Sequence, residues 1–153
     1  MLSVGDRAPE IEGTLSTGEP FRLGELRGKK HVVLYFFPRA FTPGCTRETC
    51  SFRDRTSEFH ALDAEIVGVS PDPPEKQQAF AREYGVSFPF LTDRSGEIAR
   101  AFGVARLGGW LPPRRVTFVV DKDGTIREVI HAELAIGHHI ERALEALRAL
   151  QAG

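Results

Sequence analysis

Apolar positions run along this chain with two different periods, and each period predicts its own kind of element. The stretch Val32-Val33-Leu34-Tyr35-Phe36-Phe37 is continuously apolar and β-rich, the pattern of a strand buried on both faces. Pro38 ends it. Residues 65–70 repeat that pattern, and residues 88–91 read as a shorter strand. Residues 43–62 predict one long helix, a second helix opens at Pro73-Pro74 and runs to Tyr84, and a short one covers 97–102. Thr17-Gly18 is a turn signal between short extended pieces and predicts a small hairpin over 15–22. Residues 116–121 and 125–131 flank Lys122-Asp123-Gly124, where the Asp-Gly pair marks a second hairpin. Ile140, Leu144, Leu147 and Leu150 recur at helical spacing, which gives an amphipathic last helix.

Strand–helix–strand–helix, then a hairpin, then a helix, implies an α/β fold. A central mixed β-sheet is flanked by helices, with an N-terminal β-hairpin. No internal repeat or linker composition divides the chain, so one domain over 1–153 is expected. The Pro- and Gly-rich piece Leu107-Gly108-Gly109-Trp110-Leu111-Pro112-Pro113 reads as a loop within it.

Composition narrows the function classes. The 153 residues are 41% hydrophobic and 27% charged, with net charge −1. There is no global bias toward nucleic acid or an anionic membrane, and the apolar runs are far too short to span a bilayer. The start, Met1-Leu2-Ser3-Val4-Gly5-Asp6, lacks the basic residues and long apolar stretch of a secretory signal, so a cytoplasmic protein is expected. Only two cysteines occur, Cys45 and Cys50. Two are too few for a disulfide scaffold, and Cys-x4-Cys is not a zinc spacing. In a reducing compartment such a pair is catalytic or inert rather than structural.

The segment Pro38-Arg39-Ala40-Phe41-Thr42-Pro43-Gly44-Cys45 joins a buried strand to a helix. Thr42 suits the N-cap and Pro43 the first helical position. Cys45 then falls in the first turn, where free backbone N–H groups and the helix dipole favour an anion. The thiolate is the nucleophilic form of cysteine. The plainer alternative is a small buried hydrophobe that happens to begin a helix.

Pro38-x3-Thr42-x2-Cys45 resembles the active-site signature of peroxiredoxins. The longer string from Phe37 through Cys45-Thr46-Arg47-Glu48-Thr49-Cys50 is similar to the bacterioferritin comigratory protein, or Q-type, subgroup. The likeness extends to Gly5-Asp6-x-Ala8-Pro9, Val67-Gly68-Val69-Ser70 and Arg115-Val116-Thr117-Phe118-Val119-Val120-Asp121. Two features depart from the pattern. Ala40 stands where the subgroup often has a small polar or acidic residue, and the stretch 103–113 is shorter and richer in Gly and Pro.

The resemblance implies a thioredoxin-like fold and a thiol peroxidase acting on hydrogen peroxide and organic hydroperoxides. No metal, haem or flavin is implied. Cys45 would attack the peroxide and Cys50 would close a disulfide behind it, with thioredoxin or a similar dithiol as the reductant. Thr42 would hydrogen-bond the thiolate and the peroxide, and Pro38 would shape the pocket. The N–H groups of Gly44 and Cys45 would hold peroxide oxygens. Arg115 would stabilise the thiolate and polarise the O–O bond, since a guanidinium stays charged and offers several donors. Arg114, on the opposite side of a strand, is its rival. Glu48 would orient the arginine, with a surface helix carboxylate as the alternative.

On one helix, Cys45 and Cys50 would stand about 140° apart around the axis, with Cα atoms roughly 8.7 Å apart. A disulfide needs Cα atoms within about 7 Å. The implied pairing therefore predicts that the start of the helix unwinds. His138-His139 reads as the beginning of the last helix, and His31, His60 and His131 read as bland positions. Trp110 is a partner contact or a lid over the core. A monomer is expected. Two other function classes stay open: a disulfide oxidoreductase, against which the missing Cys-x2-Cys weighs, and a redox sensor or chaperone-like binding protein.

Overall fold

The computed structural model describes residues 1–107, 110–133 and 135–152. Its strands are β1 (Glu12–Leu15), β2 (Pro20–Arg22), β3 (His31–Phe36), β4 (Ala64–Ser70), β5 (Phe90–Thr92), β6 (Val116–Val120) and β7 (Ile126–His131). Its helices are α1 (Pro43–Asp54), α2 (Thr56–Ala61), α3 (Pro74–Tyr84), α4 (Glu97–Phe102) and α5 (Ile136–Ala152). The strands make one seven-stranded sheet in the order β2-β1-β5-β4-β3-β6-β7. β3, β4 and β5 run parallel, while β6 lies antiparallel to β3 and β7 antiparallel to β6. The expected hairpin forms as β1 and β2 and docks antiparallel on β5.

The unbroken apolar run of β3 is explained by a core on each face. Val32, Leu34 and Phe36 pack on one side with Phe102 and Phe118. Val33, Tyr35 and Phe37 pack on the other with Phe52, Phe59, Phe80 and Leu144. Strand residues alternate faces, so a central strand covered on both sides must be apolar throughout. Gly68 fits the same logic, because a Cβ there would stand 2.7 Å from the Phe90 ring and 2.9 Å from that of Tyr35.

Two boundaries differ from the sequence expectation. The single helix over 43–62 is broken at Arg55, whose φ of −110° and ψ of 10° leave the helical range. Thr56 Oγ1 donates to the carbonyls of Phe52 and Arg53, at 3.0 and 2.9 Å. Such local side-chain bonds compete with the helical ladder. The strand expected at 88–91 lies at Phe90–Thr92, because Pro89 has no N–H to pair. Gly108 and Gly109 of the Pro/Gly loop lie outside the described residues. Trp110 in that loop is 90% exposed, so it is no lid over the core. Among the described residues, no helix is long and apolar enough to cross a membrane.

Candidate active site

The chain leaves β3 at Pro38, crosses to Thr42 and enters α1 with Cys45 in the first turn. Phe41 makes the corner with a left-handed φ of 67°, a conformation that strains a bulky residue. Its ring is held against Phe80, 5.1 Å away between centroids. Ala40 N–H donates to Asp72 Oδ2 at 2.8 Å, and Ser70 Oγ donates to the same oxygen at 2.8 Å. Asp72, just beyond β4, therefore ties down the loop that leads to Cys45. The sequence reading missed it. Its signal was its position beyond the carboxyl end of a parallel strand, where α/β sheets place functional groups.

Thr42 occupies the N-cap position but does not cap with its side chain. Its hydroxyl donates to Arg39 O at 2.7 Å. That corrects the expected capping role and spends the hydroxyl proton, so Oγ1 has only acceptor capacity left. Gly44 and Cys45, at the head of α1, keep their N–H groups free of any cap from Thr42.

Cys45 is wholly buried, and Arg115, the residue preceding β6, reaches it from the strand beside β3. Arg115 Nη2 lies 3.4 Å from Cys45 Sγ, and Nη1 donates to Glu48 Oε1 at 2.9 Å. The backbone N–H of Arg115 donates to Glu133 Oε1 at 3.2 Å. Arg114 is exposed, and its backbone N–H goes to Val104 O. Burial works against the charge on Arg115, but Glu48 and Cys45 outweigh it and raise the guanidinium above its ordinary value.

Glu48 is not a surface carboxylate: it is fully buried under Arg115. Burial pushes its carboxyl from 4.5 up to about 7, against the lowering effect of Arg115 and with Glu133 adding to the rise. His139, expected to begin the last helix, is also fully buried. It lies 3.4 Å from Glu48 Oε2 and 2.7 Å from Thr117 Oγ1. Two signals for this pair were present in the sequence. Thr117 is the one polar residue in the run Val116–Val120, and His139 shares the spacing of Ile136, Ile140, Ala143 and Leu147 on the buried face of α5.

Cys50 lies on the same unbroken helix as Cys45, and both are free thiols. The structure thus groups Cys45, Gly44, Glu48 and Arg115, with Thr42 and Pro38 in the loop before them. Chemically this is a buried sulfur at a helix N-terminus, facing a fixed cation and open N–H donors. Such a place favours a thiolate and can hold a small oxygen ligand beside it.

Residues 4–129 match the AhpC/TSA family. The chain is 36% identical to Peroxiredoxin Bcp of Bacillus subtilis, over 96% of both chains. Among solved structures it resembles Peroxidoxin BcpB from Mycobacterium tuberculosis, with 42% identity, a TM-score of 0.93, and coverage of 98% of this chain and 99% of that one. It also resembles the bacterioferritin comigratory protein of Xanthomonas campestris, studied for alkyl peroxide reduction activity, with 29% identity, a TM-score of 0.83, and coverage of 92% and 91%.

Proposed function

This chain belongs to the AhpC/TSA family, as a thioredoxin-like peroxiredoxin of the bacterioferritin comigratory protein or Q type, and on that premise we propose a role for each residue of its site. The protein is a thiol-dependent peroxidase, and its family uses peroxide substrates with thioredoxin-like reductants. Cys45 is the attacking sulfur. The observation that carries this is Arg115 Nη2 at 3.4 Å from a buried Cys45 Sγ in the first turn of α1.

The thiolate attacks the terminal oxygen of the hydroperoxide. An S–O bond forms, the O–O bond breaks, and the departing alkoxide takes a proton to leave as alcohol or water. Nη2 of Arg115 and the N–H groups of Gly44 and Cys45 stabilise the charge that moves onto oxygen. Thr42 Oγ1, with its own proton on Arg39 O, accepts the hydroperoxide O–H and orients it. Pro38 shields the sulfur from solvent. Glu48 holds Arg115 in place through Nη1.

Cys45 is left as a sulfenic acid. Cys50 then attacks it, a disulfide forms and water departs. An external dithiol such as thioredoxin reduces that bond by exchange. Because α1 keeps the two cysteines on one helix, at a Cα separation of roughly 8.7 Å by helical geometry, its first turns must open before the bond closes. We read residues 1–153 as one domain, working as a cytoplasmic monomer on hydrogen peroxide and organic hydroperoxides.

Peroxide consumption with a thioredoxin system tests the reading. Wild type is expected to turn over, and Cys45→Ser to lose activity. Turnover retained in Cys45→Ser would remove Cys45 from the chemistry. The mass of the protein after one equivalent of peroxide, reduced and non-reduced, reports whether Cys50 closes the disulfide.

A further inference from the structure

His139 fills a place that the chemistry above does not use. Its Nε2 lies 2.8 Å from Ala132 O. A carbonyl oxygen only accepts, so Nε2 carries the ring proton and Nδ1 presents a lone pair. Burial favours this neutral form and lowers the imidazole from 6.5 to about 4, with Arg115 and His131 adding to the effect and the Ala132 bond and Glu133 opposing it. Thr117 Oγ1, 2.7 Å from Nδ1, is then the donor in their bond. The other atom facing Nδ1 is Glu48 Oε2 at 3.4 Å. Among the described residues this buried oxygen has no hydrogen-bond partner.

An ionised Glu48 would set half a negative charge at Oε2 against a lone pair, with no donor. Burying an unpaired charged oxygen in that way is unfavourable. The carboxylic acid lessens the conflict: a neutral oxygen is less costly to bury without a partner than a charged one, and Oε1 still accepts from Arg115 Nη1.

The charges around Glu48 point the same way. On its own helix it has Cys45, with Cys50 two residues on. Arg115, just before β6, donates to it, and α5 brings His139, to which Thr117 of β6 is bonded. Tyr35 of β3 lies on the same side and is kept neutral by burial. Glu133 and His131, paired with each other at 3.4 Å, stand half-exposed at the rim. Among the described residues, the buried surroundings of Glu48 therefore hold one permanent cation, Arg115, and two groups able to be its anion, Cys45 and Glu48. One buried positive charge supports one buried negative charge far better than two.

We propose that Cys45 and Glu48 share a single proton across Arg115: when Cys45 is the thiolate, the proton sits on Glu48. This rests on the reading of Cys45 as the nucleophile. Passing from Cys45 thiol with Glu48 carboxylate to Cys45 thiolate with Glu48 acid leaves the buried charge unchanged. Arg115 then has its full charge to give to the sulfur, because a neutral Glu48 holds the guanidinium without cancelling it. In the reaction the sulfur loses its charge, and Glu48 ionises to replace it. The alkoxide takes its proton from water, and Glu48 returns one to water. Thiolate, Glu48 acid and hydroperoxide become sulfenic acid, Glu48 carboxylate and alcohol, with atoms and charge balanced and no net proton uptake.

Infrared spectroscopy of the reduced Cys50→Ser protein at neutral pH tests this. A protonated-carboxyl C=O stretch is expected, and it disappears when Glu48→Gln is added. It is also lost in Cys45→Ser, where no thiolate competes for Arg115 and Glu48 becomes the anion. Absence of the band in reduced Cys50→Ser, or its persistence undiminished in Cys45→Ser, overturns the shared proton. Peroxide consumption is measured in parallel: turnover by Cys45→Ser would strike the nucleophile assignment, whereas the bands strike only the proton.

Discussion

Gly44 leaves the space that Arg115 occupies: a Cβ on Gly44 would stand 2.9 Å from Nη2, the nitrogen that reaches Cys45. The guanidinium cannot simply swing aside, since Nη1 is held by Glu48. Gly44→Ala is therefore expected to displace the arginine from the sulfur while leaving the core untouched. We expect kcat/KM for peroxide to fall about tenfold or more, equivalent to about 1.4 kcal/mol of transition-state stabilisation. Full activity in that variant would show that Nη2 need not sit where it does.

Arg115→Lys keeps a charge but loses the planar fork. One ammonium on a flexible stem cannot hold Glu48 and Cys45 in the two directions that Nη1 and Nη2 now serve. Losing a preorganised donor to a developing oxyanion typically costs about 100-fold in rate, and a drop of that order in the second-order rate is expected. Arg114→Lys, on an exposed residue, is expected to change it little. The reverse ranking would place the functional arginine one residue earlier.

Glu48 and His139 tilt the pH dependence of stability in opposite directions. Burial raises Glu48 from 4.5 to about 7, so in that window the folded chain keeps a proton the unfolded chain has lost, and this contribution fades as pH rises. Burial lowers His139 from 6.5 to about 4, so there the unfolded chain binds the extra proton, and stability is lost as pH falls. A full one-proton difference is worth about 1.4 kcal/mol per pH unit, and the two slopes oppose each other between the ordinary values of 4.5 and 6.5. Glu48→Gln leaves only the His139 contribution. On acidification across that interval it is expected to lose about 1 kcal/mol per pH unit more than wild type, measured by urea unfolding at several pH values. Parallel curves would contradict the raised Glu48.

The disulfide requires motion in α1. Amide exchange in residues 43–50 is expected to speed up in the oxidised protein relative to the reduced one, as local opening exposes the backbone. In Cys50→Ser the sulfenic acid is expected to persist long enough for a sulfenic-acid-specific reagent to trap it, because no resolving thiol follows. A Cys45–Cys50 bond with α1 fully protected would refute the unwinding step. No bond between them would leave resolution to an external thiol.

Local pattern was enough for much of this molecule. The apolar run at Val32–Phe37 requires two-sided burial, and Pro38 to Cys45 places a thiol at a helix start. Both depend on neighbours a few residues away, whose periodicity and turn chemistry are written directly in the chain. The break at Arg55 escaped that reading because the hydroxyl of Thr56 chooses between solvent and two carbonyls only once the helix is built. The Thr42 hydroxyl went to Arg39 O for the same reason. The surroundings of the sulfur depended on the sheet order. β6 lies beside β3, which brings Arg115 to Cys45 across 70 residues of sequence and to Glu48 across 67. α5 then packs over β6 and α1 and brings His139 onto Thr117 and Glu48. Sequence periodicity could put His139 on a buried face, but not say which carboxylate it would meet, because that contact is made by strand order and helix docking rather than by local spacing.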